Sequence, residues 1–191
     1  MNKPKLNIKE NDTLFFDMDG TLVDTGFANF LSYKKAIQSF IQSENEIEFR
    51  PNERFNRATL KVAVPNLTEV EYEKIIKKKE ENYKEHLSET KLNKCVTEIL
   101  LKYYKTNKTV LVTNCREDRA LMTLDYHNLI DKFSNIFFRE ISANGKRINK
   151  YKNAISNLRL SAQTIIVFEN EKLEIEDAIL AGISIHKIFN L

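Results

Sequence analysis

Short apolar runs and helical periodicities take turns along most of this chain. Leu14-Phe15-Phe16, Val110-Leu111-Val112 and Ile165-Ile166-Val167 are apolar or β-branched stretches of strand length, each followed within a few residues by a polar break. Val96, Ile99, Leu100, Tyr103 and Tyr104 instead recur at helical spacing. In chain order the pattern predicts a strand over 13–17, a helix over 94–105, a strand over 109–113 and a helix over 116–128. It continues with a strand over 136–138, a helix over 150–159, a strand over 164–168, a helix over 173–181 and a strand over 183–189. Alternation of this kind is the signature of a parallel α/β sheet, in which ligands bind beyond the carboxyl ends of the strands.

Residues 26–92 break the alternation. Phe27, Phe30, Leu31, Ile37, Phe40 and Ile41 mark one amphipathic helix, and Tyr72, Ile75, Ile76, Tyr83 and Leu87 mark another. Thr68 and Glu71 predict a capping box at the start of the second. Arg50, Arg54, Arg57 and Lys61 recur at spacings of four, three and four, so a helix there would gather them on one face, either solvated or gripping an anionic substrate.

The first strand ends on Asp17-Met18-Asp19-Gly20-Thr21. Side chains two apart in an extended segment point the same way, so Asp17 and Asp19 aim at one spot. Paired carboxylates repel unless a cation or a proton lies between them, which points to metal binding or acid–base chemistry. Thr113, followed by Asn114-Cys115-Arg116, ends another strand just before a helix, where a hydroxyl and backbone N–H groups can meet an anion. Lys150 opens a third helix, with Lys152 two residues on, and the strand over 164–168 runs into Glu169-Asn170-Glu171.

These four segments, in this order, resemble the motifs of the haloacid dehalogenase-like superfamily of phosphatases and phosphotransferases. The resemblance implies a Rossmann-like parallel sheet core over residues 1–25 and 93–191, with an inserted helical cap domain over 26–92 that closes over the site. It further implies Asp17 as nucleophile and Asp19 as general acid and base. Thr113, Asn114 and Lys150 become phosphate-binding residues, Lys152 being the alternative lysine. Mg2+ would be held by Asp17, Asp19 (through its backbone carbonyl), Glu169 and Asn170. Where many relatives have aspartate, this chain has Asn170, whose amide oxygen ligates a hard cation without a carboxylate's charge; Glu169, Glu171 and Glu174 are the candidates to compensate. The activity implied is Mg-dependent hydrolysis of a small phosphorylated metabolite through an aspartyl-phosphate. A phosphoglucomutase-like transfer and a non-catalytic phospho-ligand binder are the alternatives. The presence of Asp19 argues against a dehalogenase, since that branch lacks the second aspartate.

Bulk properties narrow the picture further. The chain has 191 residues, 42% of them hydrophobic, enough for a core domain and a modest insertion. Its +3 charge arises from 30 basic and 27 acidic residues mixed along the chain, without the basic stripe of a nucleic-acid binder, so no nucleic-acid partner is expected. Residues 1–12 are polar, and no apolar run approaches the ~18 residues of a spanning helix, so neither a signal nor a membrane partner is expected and a cytoplasmic location is. Cys95 and Cys115 suit reduced thiols, Cys115 as a small buried side chain, and His86, His127 and His186 show no metal-like spacing.

Overall fold

The computed structural model describes residues 6–41, 47–51 and 53–190, so the polar stretch 1–12 enters only from Leu6. In chain order the elements are β1 (Thr13–Phe16), β2 (Val23–Asp24), α1 (Gly26–Gln38), α2 (Arg57–Ala63), α3 (Glu69–Asn82) and β3 (Lys91–Leu92). They continue with α4 (Lys94–Tyr103), β4 (Thr109–Val112), α5 (Glu117–Tyr126), β5 (Asn135–Phe137), α6 (Lys150–Leu158), β6 (Ile165–Phe168), α7 (Lys172–Leu180) and β7 (Ile188–Phe189). The chain divides into two compact units, one of Met1–Leu22 with Asn93–Leu191 and the other of Val23–Leu92.

The first unit is a Rossmann-like α/β core. Its five strands pair in the order β5-β4-β1-β6-β7, all parallel, with Phe16 opposite both Leu111 and Phe168. Every residue of β1, β4 and β6 is buried, as central strands covered on both faces require. Alternate residues build the two faces. Phe15, Val110, Val112, Ile165 and Val167 form one core with Tyr151 and Ala154 of α6 and Ala178 of α7. On the other face Phe16 stacks on Phe168 with ring centroids 4.8 Å apart and meets Phe133 edge-on. Because β4 and β6 flank β1 on opposite sides, the chain leaves the sheet in different directions around the end of β1. The carboxyl end of β1 is therefore a topological switch point, the place where ligands bind in open parallel sheets.

One expectation for the sheet changes here. The last strand is confined to Ile188–Phe189, because Ile185–Lys187 coils into a 3-10 turn and the Lys187 ammonium reaches Asp12 Oδ1 (3.1 Å) and the Gln163 carbonyl (2.7 Å). The other strands and helices predicted outside residues 26–92 fall within a few residues of their expected bounds.

The second unit has its own core of Phe30, Tyr33, Ile37, Leu60, Tyr72, Ile75 and Ile76. The Thr68–Glu71 capping box is present, each side chain bonded to the other residue's backbone N–H. The basic helical face is not. Asn56 Oδ1 accepts from the N–H groups of Ala58 and Thr59 and starts α2 at Arg57, after a turn at Pro51. Arg50 and Arg54 therefore precede the helix. Arg50 pairs with Glu53, and Lys61 lies over the Tyr72 ring.

Candidate active site

Parallel pairing brings the strand ends together. The N–H of Asp17 donates to the Phe168 carbonyl (3.0 Å), that of Thr113 to Phe137 and that of Glu169 to Phe189, so Asp17, Thr113 and Glu169 leave the sheet at one edge. Asp17, Asp19, Thr113 and Glu169 are all buried.

Lys150 organises the centre. Asn149 caps α6, its Oδ1 accepting from the N–H groups of Tyr151 and Lys152 while its Nδ2 donates to the Asp177 carbonyl. This places Lys150 first in the helix, with its Nζ 2.6 Å from Asp17 Oδ1, 2.8 Å from Glu169 Oε2 and 3.5 Å from Glu174 Oε2. Lys152, on the same helix, is exposed. Burial by itself would drive the Lys150 proton off, but Asp17, Glu169 and Glu174 outweigh it and hold the ammonium above its ordinary range. Burial also raises the Asp17 carboxyl to about 7; Glu169 and Asp19 push the same way, and the Lys150 charge pulls against them. A nearly dry carboxyl beside an ammonium is poised to respond to any further cation.

Glu169, expected as a metal ligand, serves as an anchor. Its Oε1 accepts from the N–H groups of Asn170 and Glu171, and its Oε2 accepts from Lys150 and from the Tyr151 hydroxyl (2.7 Å). Both oxygens are committed to protein donors. Tyr151, buried against these carboxylates, keeps its phenolic proton because its pKa is raised well above the usual range. The Asn114 side chain reaches the neighbouring helix: its Nδ2 donates one hydrogen to Glu174 Oε2 (2.7 Å) on α7. The Thr113 oxygen accepts from the Cys115 N–H (3.1 Å), which leaves its hydroxyl hydrogen as a donor.

Glu174 links the loops: besides Lys150 and Asn114 it takes the Arg147 guanidinium, which also bonds Asp177 Oδ2 at 2.7 Å. Arg119 Nη2 donates to Asp19 Oδ2 (2.9 Å), and its Nε lies 2.9 Å from Cys115 Sγ. Arg119, Tyr151 and Arg147 escape sequence reading. No local spacing marks the Arg119–Cys115 contact, because Cys115 precedes α5, which begins only at Glu117.

Among the described residues, no three His, Cys, Asp or Glu side chains are arranged to hold a metal ion. The oxygens at the turn nevertheless suit a hard cation. Asn170 Oδ1 accepts from Thr21 Oγ1 (3.0 Å), which fixes the amide against the turn that carries Asp17 and Asp19. Gly20 makes that approach possible. Its φ is +85°, and a Cβ there would come within 2.6 Å of Asn170 Nδ2. One carboxylate, one amide oxygen and a backbone carbonyl fit a magnesium-like ion, which retains waters and takes phosphate oxygens as further ligands.

Residues 14–188 match the family of haloacid dehalogenase-like hydrolases. Among solved structures, a haloacid dehalogenase-like hydrolase from Streptococcus pneumoniae is 17% identical with a TM-score of 0.72, over 92% of this chain and 83% of that one. A predicted phosphoglycolate phosphatase from Haemophilus somnus gives 19% and 0.72, over 93% and 85%. A protein from Thermotoga maritima assigned as a beta-phosphoglucomutase gives 23% and 0.63, over 94% and 87%. At these identities the likeness shows the shared fold. No curated protein matches the chain by sequence.

Proposed function

The chain belongs to the haloacid dehalogenase-like hydrolase family, and from that premise we propose that it is a magnesium-dependent phosphatase acting on a small phosphorylated metabolite through Asp17. The observation that carries this reading is the buried Asp17 at the sheet edge, with Lys150 Nζ 2.6 Å away and Asp19 two residues on. The names of the phosphoglycolate phosphatase and phosphoglucomutase neighbours support phosphate-ester chemistry on a small molecule. The mixed surface charge supports the absence of a nucleic-acid partner, and among the described residues no helix is long and apolar enough to cross a membrane.

In the first step an Asp17 carboxylate oxygen attacks phosphorus, the ester P–O bond breaks, and Asp19 protonates the departing oxygen. In the second, water attacks the phosphorus of the aspartyl-phosphate, Asp19 takes its proton, and inorganic phosphate leaves as Asp17 is regenerated. Lys150 and the Thr113 hydroxyl bind the transferring oxygens, and backbone N–H groups of the loop after Thr113 add donors. Asp17, the Asp19 carbonyl and Asn170 would hold magnesium, whose charge offsets the repulsion between carboxylate and phosphate. Glu169 and Tyr151 keep Lys150 in place.

Phosphate release from an aryl phosphate and a panel of sugar and small organic phosphates, with and without magnesium, tests this reading against Asp17→Asn. Magnesium-dependent release abolished by the substitution is expected. A sugar phosphate converted to an isomer without phosphate release would identify a mutase, and binding without turnover a phospho-ligand binder.

A further inference from the structure

We propose that Arg119 is the positioning residue for proton transfer, holding the Asp19 carboxyl in the orientation from which it serves the reaction; this rests on the phosphatase reading above. Arg119 lies in the first turn of α5, the helix that begins just past the Thr113 loop. Its guanidinium is forked, with Nη2 on Asp19 Oδ2 and Nε on Cys115 Sγ, each at 2.9 Å. The side chain is 15% exposed and that of Asp19 6%. An aspartate has two rotatable bonds, so a carboxyl on a turn needs an external partner to stay aimed at a reacting atom. A guanidinium braced at a second point by a buried thiol supplies one with little freedom of its own. The helix that follows the Thr113 hydroxyl thus also fixes the proton-transfer group, and Cys115 gains a purpose beyond filling space.

The chemistry separates positioning from simple phosphate attraction. A p-nitrophenolate leaves without needing a proton, whereas an alkoxide leaving group has to be protonated as the P–O bond breaks. A residue that attracts phosphate affects both esters alike, while one that aims the acid affects the alkyl ester selectively.

The test is kcat/KM of wild type, Arg119→Ala and Arg119→Lys on p-nitrophenyl phosphate and 2-phenylethyl phosphate, with magnesium present and folding followed by thermal unfolding. Arg119→Ala is expected to lose on the order of 10²-fold on the alkyl ester, the cost of a misplaced catalytic group, with little change on the aryl ester. Arg119→Lys keeps the charge but not the fork and is expected to recover part of the loss; it carries the same substrate split if the alanine variant does not fold. In an Asp19→Asn background, Arg119→Ala is expected to add little further loss on the alkyl ester, because the two residues act as one unit. Equal losses on both esters, or an undiminished loss in the Asp19→Asn background, overturn the positioning role and leave the phosphatase reading standing. A folded wild type silent on both esters sinks that reading and this role with it.

Discussion

A carboxyl held near neutrality by burial couples proton and metal binding. Asp17 titrates at about 7, and its proton and a cation compete for the same oxygens. Below that pH, binding the metal requires releasing the proton, so magnesium affinity is expected to rise about tenfold per pH unit up to about 7 and to level off above it. Calorimetric titration between pH 5.5 and 8, in buffers of different ionisation heat, reads both affinity and proton release. An affinity flat over this range, with no proton released, would show that metal binding does not displace a proton from Asp17. In the same titrations Asn170→Asp is expected to bind magnesium more tightly by roughly tenfold or more. One added charge at ~4 Å and an effective dielectric of ~20 is worth more than the ~1.4 kcal/mol this requires. The Thr21 hydroxyl, which now donates to Asn170 Oδ1, can donate equally to a carboxylate. Asp17, Asp19, Thr113 and Lys150 were legible in the sequence because each follows a strand or opens a helix. The partner choices of Glu169 and Asn114 were not, since nothing local tells an acidic or amide side chain whether it faces a ligand or a protein donor.

The α6 helix carries its chemistry at its first residue, so its cap decides where Lys150 sits. Asn149 caps two N–H groups and ties the helix start to the Asp177 carbonyl. Asn149→Ala is expected to cost about 1 kcal/mol in urea unfolding and to weaken inhibition by inorganic phosphate as Lys150 loses its fixed origin. Asn149→Asp, which still accepts from the helix but cannot donate to Asp177, is expected to retain most of the stability. A weakened cap with unchanged phosphate inhibition would separate the helix start from the site. Element boundaries in the sequence were most reliable where two signals agreed, as at Thr68 and Glu71. The four-residue basic pattern from Arg50 to Lys61 misled because spacing assumes a continuous helix, and the turn at Pro51 and the Asn56 cap deny it one.

Two separate cores give the molecule two sources of stability. Leu60 is fully buried among Phe30, Tyr33, Ile75 and Ile76 in the Val23–Leu92 unit, apart from the core beneath the parallel sheet. Leu60→Ala is expected to cost ~2–5 kcal/mol locally. Hydrogen exchange of α2 and α3 should accelerate, while β1, β4 and β6 stay protected. Equal acceleration throughout would show one cooperative unit in place of two.

The sequence by itself determined the alternation that makes a parallel sheet, the helical insertion, and the identity of the residues that end the central strands. These follow from periodicity and from local preference, which act over a few residues. Only the tertiary structure decided that Lys150 rather than Lys152 meets Asp17, that Glu169 is an anchor, and that Arg119 braces Asp19. Each of these pairs joins residues from 19 to 133 positions apart. Their meeting is fixed by strand order and helix docking, which bring distant side chains into one low-dielectric pocket where every charge must find its partner.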